Sequence, residues 1–413
     1  VNAAPPTTAA PRRGARGWWL LAGLAFGLPL VACLLLWWWC GTRTDLDAAE
    51  SRMRAAGLPT GGREWGRVAA APERRAAARR IGALANALDT YHNDYWDMRP
   101  DLPVPPGLRT FQDGLPAADV AELVDTLLRI GDQPFTATVE FPISSTDELS
   151  PYRTGHFLRQ RVVATSSVPE AERAARAALA LMRLERGRPY AYAWFYELDR
   201  VIIHRLANGA LFSPALAADL EATATGLQVE FPRDIAAETI NFLTLFRTGL
   251  ESTCKTLGIS LPSVMETFPL GELVFRGGRA GFLDELAAYA VYLRTHARVC
   301  DWVDEAQRRA GAIWRRGMLS PVAITSHTFM PDWLSALGVA VNVMRNRLIA
   351  AVLRQGPWPE DLLDPTGRAL RPLLLRGRVI GGYSVGSDGK DDGGSRSDQR
   401  FPLFRRPLGT IGE

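Results

Sequence analysis

The stretch from Trp18 to Cys40, WWLLAGLAFGLPLVACLLLWWWC, runs for 23 residues without a charged side chain. At about 1.5 Å per helical residue, that is long enough to cross a hydrocarbon core of about 30 Å. No other uncharged apolar run in the chain reaches this length. Trp18 and Trp19 stand at one edge and Trp37, Trp38 and Trp39 at the other, where the amphipathic indole favours the headgroup interface. Pro29 lies inside the run, a position that a bilayer-embedded helix tolerates better than a soluble one. The expectation is a single transmembrane helix over residues 18–40.

The flanks orient that helix. Arg12, Arg13 and Arg16 precede it with no acidic residue, whereas Arg43 beyond it is followed by Asp45, Asp47 and Glu50. The positive-inside rule then puts the N-terminus in the cytoplasm and the body outside it, as in a single-pass inner-membrane protein with a periplasmic body. Residues 1–17, rich in Pro, Ala and Thr, read as a disordered cytoplasmic tail. A second reading takes Leu30-Val31-Ala32-Cys33 as a lipoprotein signal, with the mature chain anchored through a lipid on Cys33. The residues after Cys33, LLLWWWC, are still apolar and speak against a cut there. Both readings place the body outside the cytoplasm.

With 413 residues and 47% hydrophobic side chains, the chain can bury a full core. Its net charge of +4 is spread along the sequence apart from pairs such as Arg74-Arg75 and Arg79-Arg80, so no nucleic-acid face is expected. Apolar residues recur at helical spacing over most of 41–363, the stretch read as a helical extracytoplasmic domain. The first helix, from Asp45 to about Ala56, ends at Gly57-Leu58-Pro59 as a short juxtamembrane stalk. Further helices are expected near 72–91, 117–130, 169–186, 191–207, 214–225, 234–257, 282–314 and 333–353. Phe135 to Phe141 alternates with period two and reads as a strand, and the Pro/Gly-rich 98–116 reads as a long loop. From Asp364 to the end, dense turn residues and the apolar runs Leu373–Leu375 and Val379–Ile380 predict a small β-hairpin followed by an acidic, Gly-rich loop. The fold class is therefore mainly α: one N-terminal transmembrane helix, a helical bundle or stack of helical hairpins, and a C-terminal β-hairpin over 364–413.

Catalytic motifs are weak. Gly382-Tyr383-Ser384-Val385-Gly386 matches the nucleophile elbow, but no histidine follows His327 and no helix-forming stretch follows Ser384. Ser252-Thr253-Cys254-Lys255 fits S-x-x-K without its partner motifs. The histidines His92, His156, His204, His296 and His327 are scattered with no metal-binding spacing. The densest polar and aromatic cluster, Tyr91 to Asp97, reads as a capped helix end. No catalytic residue is assigned. Cys254 and Cys300 fall in a compartment where disulfides form and are a candidate pair. In the acidic loop Asp388, Asp391, Asp392 and Asp398 lie among glycines within eleven residues, the kind of oxygen-rich setting that Ca²⁺ seeks.

Two segments of this tail carry a family resemblance. Asp364-Pro365-Thr366-Gly367-Arg368-Ala369-Leu370 and Tyr383-Ser384-Val385-Gly386-Ser387-Asp388-Gly389-Lys390-Asp391-Asp392-Gly393-Gly394 resemble the C-terminal segment of type II secretion major pseudopilins, over about 35 residues. There a DP-x-G turn leads into a YS-x-G-x-DG calcium loop. The resemblance implies calcium at Asp388 and Asp398, with Asp391 or Asp392. The whole layout, with Met53-Arg54-Ala55-Ala56-Gly57-Leu58-Pro59 after the span, resembles a group of uncharacterised bacterial single-pass membrane proteins. That likeness implies topology and a tail fold and supplies no reaction. The functional expectation is a non-enzymatic, membrane-anchored helical interaction or structural protein of the cell envelope, with the bilayer and other envelope proteins as partners. The alternatives are a component of a secretion or pilus-like assembly and an envelope hydrolase with a site assembled from distant residues.

Overall fold

The computed structural model describes residues 23, 25–35, 46–61, 83, 117–130, 151–184, 198–250, 271–315, 322, 325, 336–376, 378–386, 389–394 and 398–402. The helix expected at 72–91, the 98–116 loop, the Tyr91–Asp97 cluster, the strand at 135–141 and Ser252–Lys255 lie outside them, apart from residue 83 of the first.

Within the apolar run, Ala25–Leu35 is helical (α1). Phe26, Leu28, Leu30, Val31, Leu34 and Leu35 on it are each more than half exposed, outside the core formed by the described residues. The tryptophan edges of the run lie outside the described residues. One described helix is long and apolar enough to cross a membrane, but it is Ala336–Arg354, and 56% of its apolar window is buried within the protein. It is a core helix and passes the same test for that reason.

The described body is mainly helical. After α2 (Leu46–Ala55) come α3 (Ala117–Ile130), α4 (Pro151–Ala164), α5 (Val168–Leu184) and α6 (Leu198–Ala207). Then follow α7 (Pro214–Thr248), α8 (Gly271–Thr295), α9 (Val299–Arg315) and α10 (Ala336–Arg354). The chain ends in a sheet of β1 (Arg371–Leu375), β2 (Arg378–Ser384) and β3 (Gln399–Pro402), antiparallel throughout in the order β1-β2-β3. The expected hairpin thus has a third strand, contributed by residues beyond the acidic loop.

The long α7 is the axis of the body, with α5, α8 and α10 packed around it. Ser213 caps its start, accepting from the Ala215 amide at 3.2 Å, and Pro214 takes the first helical position, where its missing N–H is no loss. Glu172 of α5 accepts from the Ser213 amide at 2.8 Å and from its hydroxyl, which fixes where α7 begins. The sequence predicts two helices here, over 214–225 and 234–257. Instead α7 runs straight through Pro232, an interior proline that costs about 3 kcal/mol in an isolated helix. Burial of Phe231, Ile235, Ala236 and Ala237 on both sides of that proline offsets the loss. The reverse happens at 282–314, expected as one helix and found as two. Thr295 donates its hydroxyl back to the Tyr292 carbonyl at 3.0 Å, and Trp302 Nε1 donates to the His296 carbonyl at 2.5 Å, so the chain turns at 296–298.

Phe242, Phe246, Phe275 and Phe282 form an aromatic centre between α7 and α8. The Phe242 and Phe282 rings meet edge-on at 5.0 Å, and those of Phe246 and Phe275 at 5.2 Å. On the same side, α2 packs as part of the body. Ala49 and Met53 are buried, Arg52 forms a two-pronged ion pair with Asp284 of α8, and Arg294 of α8 donates to the Gly57 carbonyl at 2.8 Å. Arg247 of α7 pairs with Glu50. The expected stalk is therefore a docked helix, with Gly57 at φ 69° ending it as the sequence predicts.

The sheet has two faces. One lies on the helical body, where Leu362, Leu363, Leu370 and Phe401 join the main core with Leu348 of α10 and the partly buried Trp358. Gly382 is on this face because a Cβ there would come within 2.9 Å of the Trp358 ring and 3.2 Å of Leu348. Gly382→Val should overpack this contact and destabilise the protein by about 1–3 kcal/mol, read as a lower denaturant midpoint. An unchanged midpoint would mean the sheet does not rest on Trp358.

Candidate functional site in the C-terminal tail

One group of converging polar residues lies around this sheet. Residues 361–368 form a loop closed at its neck by Leu370 N donating to the Pro359 carbonyl (2.9 Å) and Asp361 N donating to the Arg368 carbonyl (2.8 Å). Asp364 begins the Asp-Pro-Thr-Gly turn. Its carboxylate accepts from the Thr366 amide at 2.8 Å, the Thr366 hydroxyl at 2.7 Å and Arg368 Nε at 2.6 Å. Gly367 supplies the positive φ, 69°, that lets the turn close. Arg298, at the start of α9, donates to the Pro365 carbonyl at 3.1 Å and ties the turn to the helices.

Desolvation pushes the Asp364 carboxyl up, but the hydrogen bonds from Arg368 and Thr366 together outweigh it and hold the group at about 2. A carboxyl whose folded pKa lies below its ordinary value stabilises the fold above that ordinary value, near 4, and the contribution disappears as pH falls from about 4 towards 2. The tail should lose on the order of 1 kcal/mol across that window, a modest figure because the Arg368 side chain is 48% exposed. Arg368→Gln should flatten this acid limb in a pH titration of tail unfolding. An acid limb as steep as in the unaltered chain would remove Asp364 from the account.

Asp361 is buried in the tail, 2% exposed. It accepts from the Ser384 hydroxyl at 2.7 Å, the Val385 amide at 3.1 Å and the Leu363 amide at 3.0 Å. The Ser384 oxygen accepts in turn from the Gly386 amide at 3.0 Å. Ser384 is fully buried, and the serine of the elbow-like motif serves as a strut between β2 and the loop. Nothing marked Asp361 in the sequence, since two of its three partners, Ser384 and Val385, lie more than twenty residues away.

On the other face, Leu373, Tyr383 and Val385 form a second small core with Ile380 packed against it. The acidic loop folds back over this face. Gly394 is needed there because a Cβ would lie 2.9 Å from Leu373 and 3.2 Å from Tyr383. Asp391 accepts from the Tyr383 hydroxyl at 2.9 Å and the Gly393 amide at 3.0 Å through Oδ1, while its Oδ2 pairs with Arg371. Asp398 is buried and takes the Gly394 amide at 2.7 Å. Asp392 is exposed, and Asp388 lies outside the described residues. A calcium ion asks for six to eight oxygens. Among the described residues no three His, Cys, Asp or Glu side chains gather as such a group, and Asp391 is already held by a guanidinium.

The remaining candidates are dispersed. Cys300 is a buried free thiol at the start of α9, raised in pKa chiefly by burial, and Cys254 lies outside the described residues. Cys33 is an exposed free thiol on α1. His204 bonds Asn208 at 3.1 Å, and His296 stacks on Tyr292 with ring centres 3.7 Å apart. His92 and His327 lie outside the described residues, as does the His156 side chain. The chain matches no protein-family model, no curated protein and no solved structure.

Proposed function

We propose that this chain is a non-enzymatic helical scaffold of the cell envelope, anchored through residues 18–40, with its body outside the cytoplasm and the bilayer and other envelope proteins as its partners. The observation that carries the reading is the use to which buried carboxylates are put. Asp199 of α6 pairs with Arg345 of α10, and Glu305 of α9 is held by Arg308 and Arg309 at 2.6 and 2.7 Å. Asp361 and Asp364 bind the tail together. Asp199 and Asp361 each join one structural element to another, Asp364 closes a turn, and Glu305 is neutralised by two arginines of its own helix, uses that suit a scaffold better than a general acid or base. For the anchor, support comes from the exposed apolar side chains of α1 and the arginine asymmetry around the run.

Two measurements test the proposal. Alkaline carbonate extraction should leave the full chain in the membrane pellet, and protease added outside spheroplasts should digest the body; release into the supernatant or protection of the body would overturn the anchored topology. For the scaffold itself, cross-linking in intact cells should trap the chain in a stoichiometric complex with an envelope protein. A chain that stays monomeric under cross-linking and turns over an ester, amide or glycoside substrate would replace this reading with the hydrolase.

A further inference from the structure

We propose that Asp391 of the acidic loop is the carboxylate of an internal clamp whose cation is the Arg371 guanidinium, and that it belongs to no calcium ligand set. The register of the sheet brings the two partners together. Arg371 on β1 and Tyr383 on β2 are direct cross-strand partners, so the two side chains rise from the same face of the sheet as neighbours. That face is the one the loop covers, with Gly394 against Leu373 and Tyr383. Folding the loop down carries Asp391 onto this pair. One of its oxygens then takes the Tyr383 hydroxyl and the Gly393 amide, and the other takes Arg371.

The arrangement performs the task a metal performs in an acidic loop. It neutralises the carboxylate, fixes the direction of the turn through the Gly393 amide, and fastens loop to sheet. The cation differs in being covalently part of β1, so it is present whenever the sheet is formed. A divalent ion entering at Asp391 would have to displace a side chain that is 24% exposed and leave the guanidinium beside it, with like charge facing like charge. Gly393, at φ 70°, and Gly389, at φ 65°, let the loop make this approach without backbone strain.

The test is thermal unfolding of the full chain in detergent, in EDTA and in millimolar calcium, with proteolysis of the tail as the local readout. Asp391→Asn and Arg371→Gln should each lower the temperature at which the tail becomes cleavable, by similar amounts, with or without calcium. The double variant should be no worse than either single one, the mark of two residues serving one contact. If calcium raises the melting temperature of the unaltered chain, the rise should persist in Asp391→Asn. The proposal is overturned if Asp391→Asn behaves as the unaltered chain in EDTA, if the two single effects add in the double variant, or if Asp391→Asn abolishes a calcium-dependent rise. Should Asp391→Asn fail to accumulate, Tyr383→Phe, which removes one hydrogen bond from the same carboxylate, should reproduce the effect in weaker form in EDTA, and no change there would count against the clamp. Failure here leaves the scaffold reading standing, because that reading is decided by cross-linking.

Discussion

Phe246→Ala should be among the most damaging single changes in the helical body, lowering its stability by about 3–5 kcal/mol. The Phe246 ring is completely buried and touches three others, with centres 5.4 Å from Phe242, 5.2 Å from Phe275 and 5.5 Å from Phe282. Truncation removes the transfer free energy of the ring and leaves a hole between α7 and α8. Those helices are also tied by Arg279 donating to the Phe246 carbonyl at 2.7 Å, which limits how far the walls can close in. Phe246→Leu, which refills most of the volume, should recover a large part of the loss. Chemical denaturation of the full chain in detergent provides the measurement. A loss below about 1 kcal/mol for the alanine variant would mean that the aromatic centre is not packed as described.

Asp361→Ala should act just as strongly, but on the tail alone. The substitution strands the Ser384 hydroxyl and the Val385 and Leu363 amides, three donors in a setting that water does not reach. At about 1–3 kcal/mol for each buried donor left without a partner, a total near 3–5 kcal/mol is expected after relaxation. The sheet should detach while the helices stay folded, because the bonds that hold α7 to its neighbours involve none of these residues. Limited proteolysis should then cut between the end of α10 and β1, with helical circular dichroism almost unchanged. Asp361→Asn, which keeps one acceptor oxygen, should fall between. Full protection of the tail in the alanine variant would show that apolar contacts at Leu370 and Phe401 suffice to hold it.

Much of the helical layout is legible in the sequence, and the failures have distinct physical origins. Helix α3 appears where its apolar period puts it, because Val120, Leu123, Val124 and Leu127 all face the core. Helix α4 carries no such signal. Two of its buried positions are Arg159 and Gln160, and a pattern built on apolar residues passes over polar ones. The fusion across Pro232 and the break at 296–298 depend on tertiary packing and on side-chain bonds to carbonyls, which local propensity does not contain.

In the tail, turn chemistry at Asp364-Pro365-Thr366-Gly367 can be read directly. The roles of Asp361 and Arg371 cannot, since each becomes meaningful only when the register of β1 against β2 is known. The grouping of Asp388, Asp391, Asp392 and Asp398 follows their closeness in sequence. In the described structure Asp391 turns towards Arg371 and Asp398 towards the Gly394 amide, partners that sequence closeness does not show.

The docking of α2 has a mechanical meaning. Residues 36–45 lie between the end of α1 and the start of α2 in the sequence, so α2 is the first described helix of the body after α1. In the anchored topology proposed above, the membrane's pull reaches the body at α2, which is fixed to the wall of the body through Arg52, Met53 and Arg294. A pull between membrane and body would load α2 in shear against α8 before it reached the aromatic centre. Since the exposed Arg52–Asp284 pair resists little by itself, the yield point of the attachment would be set by how firmly Ala49 and Met53 are buried.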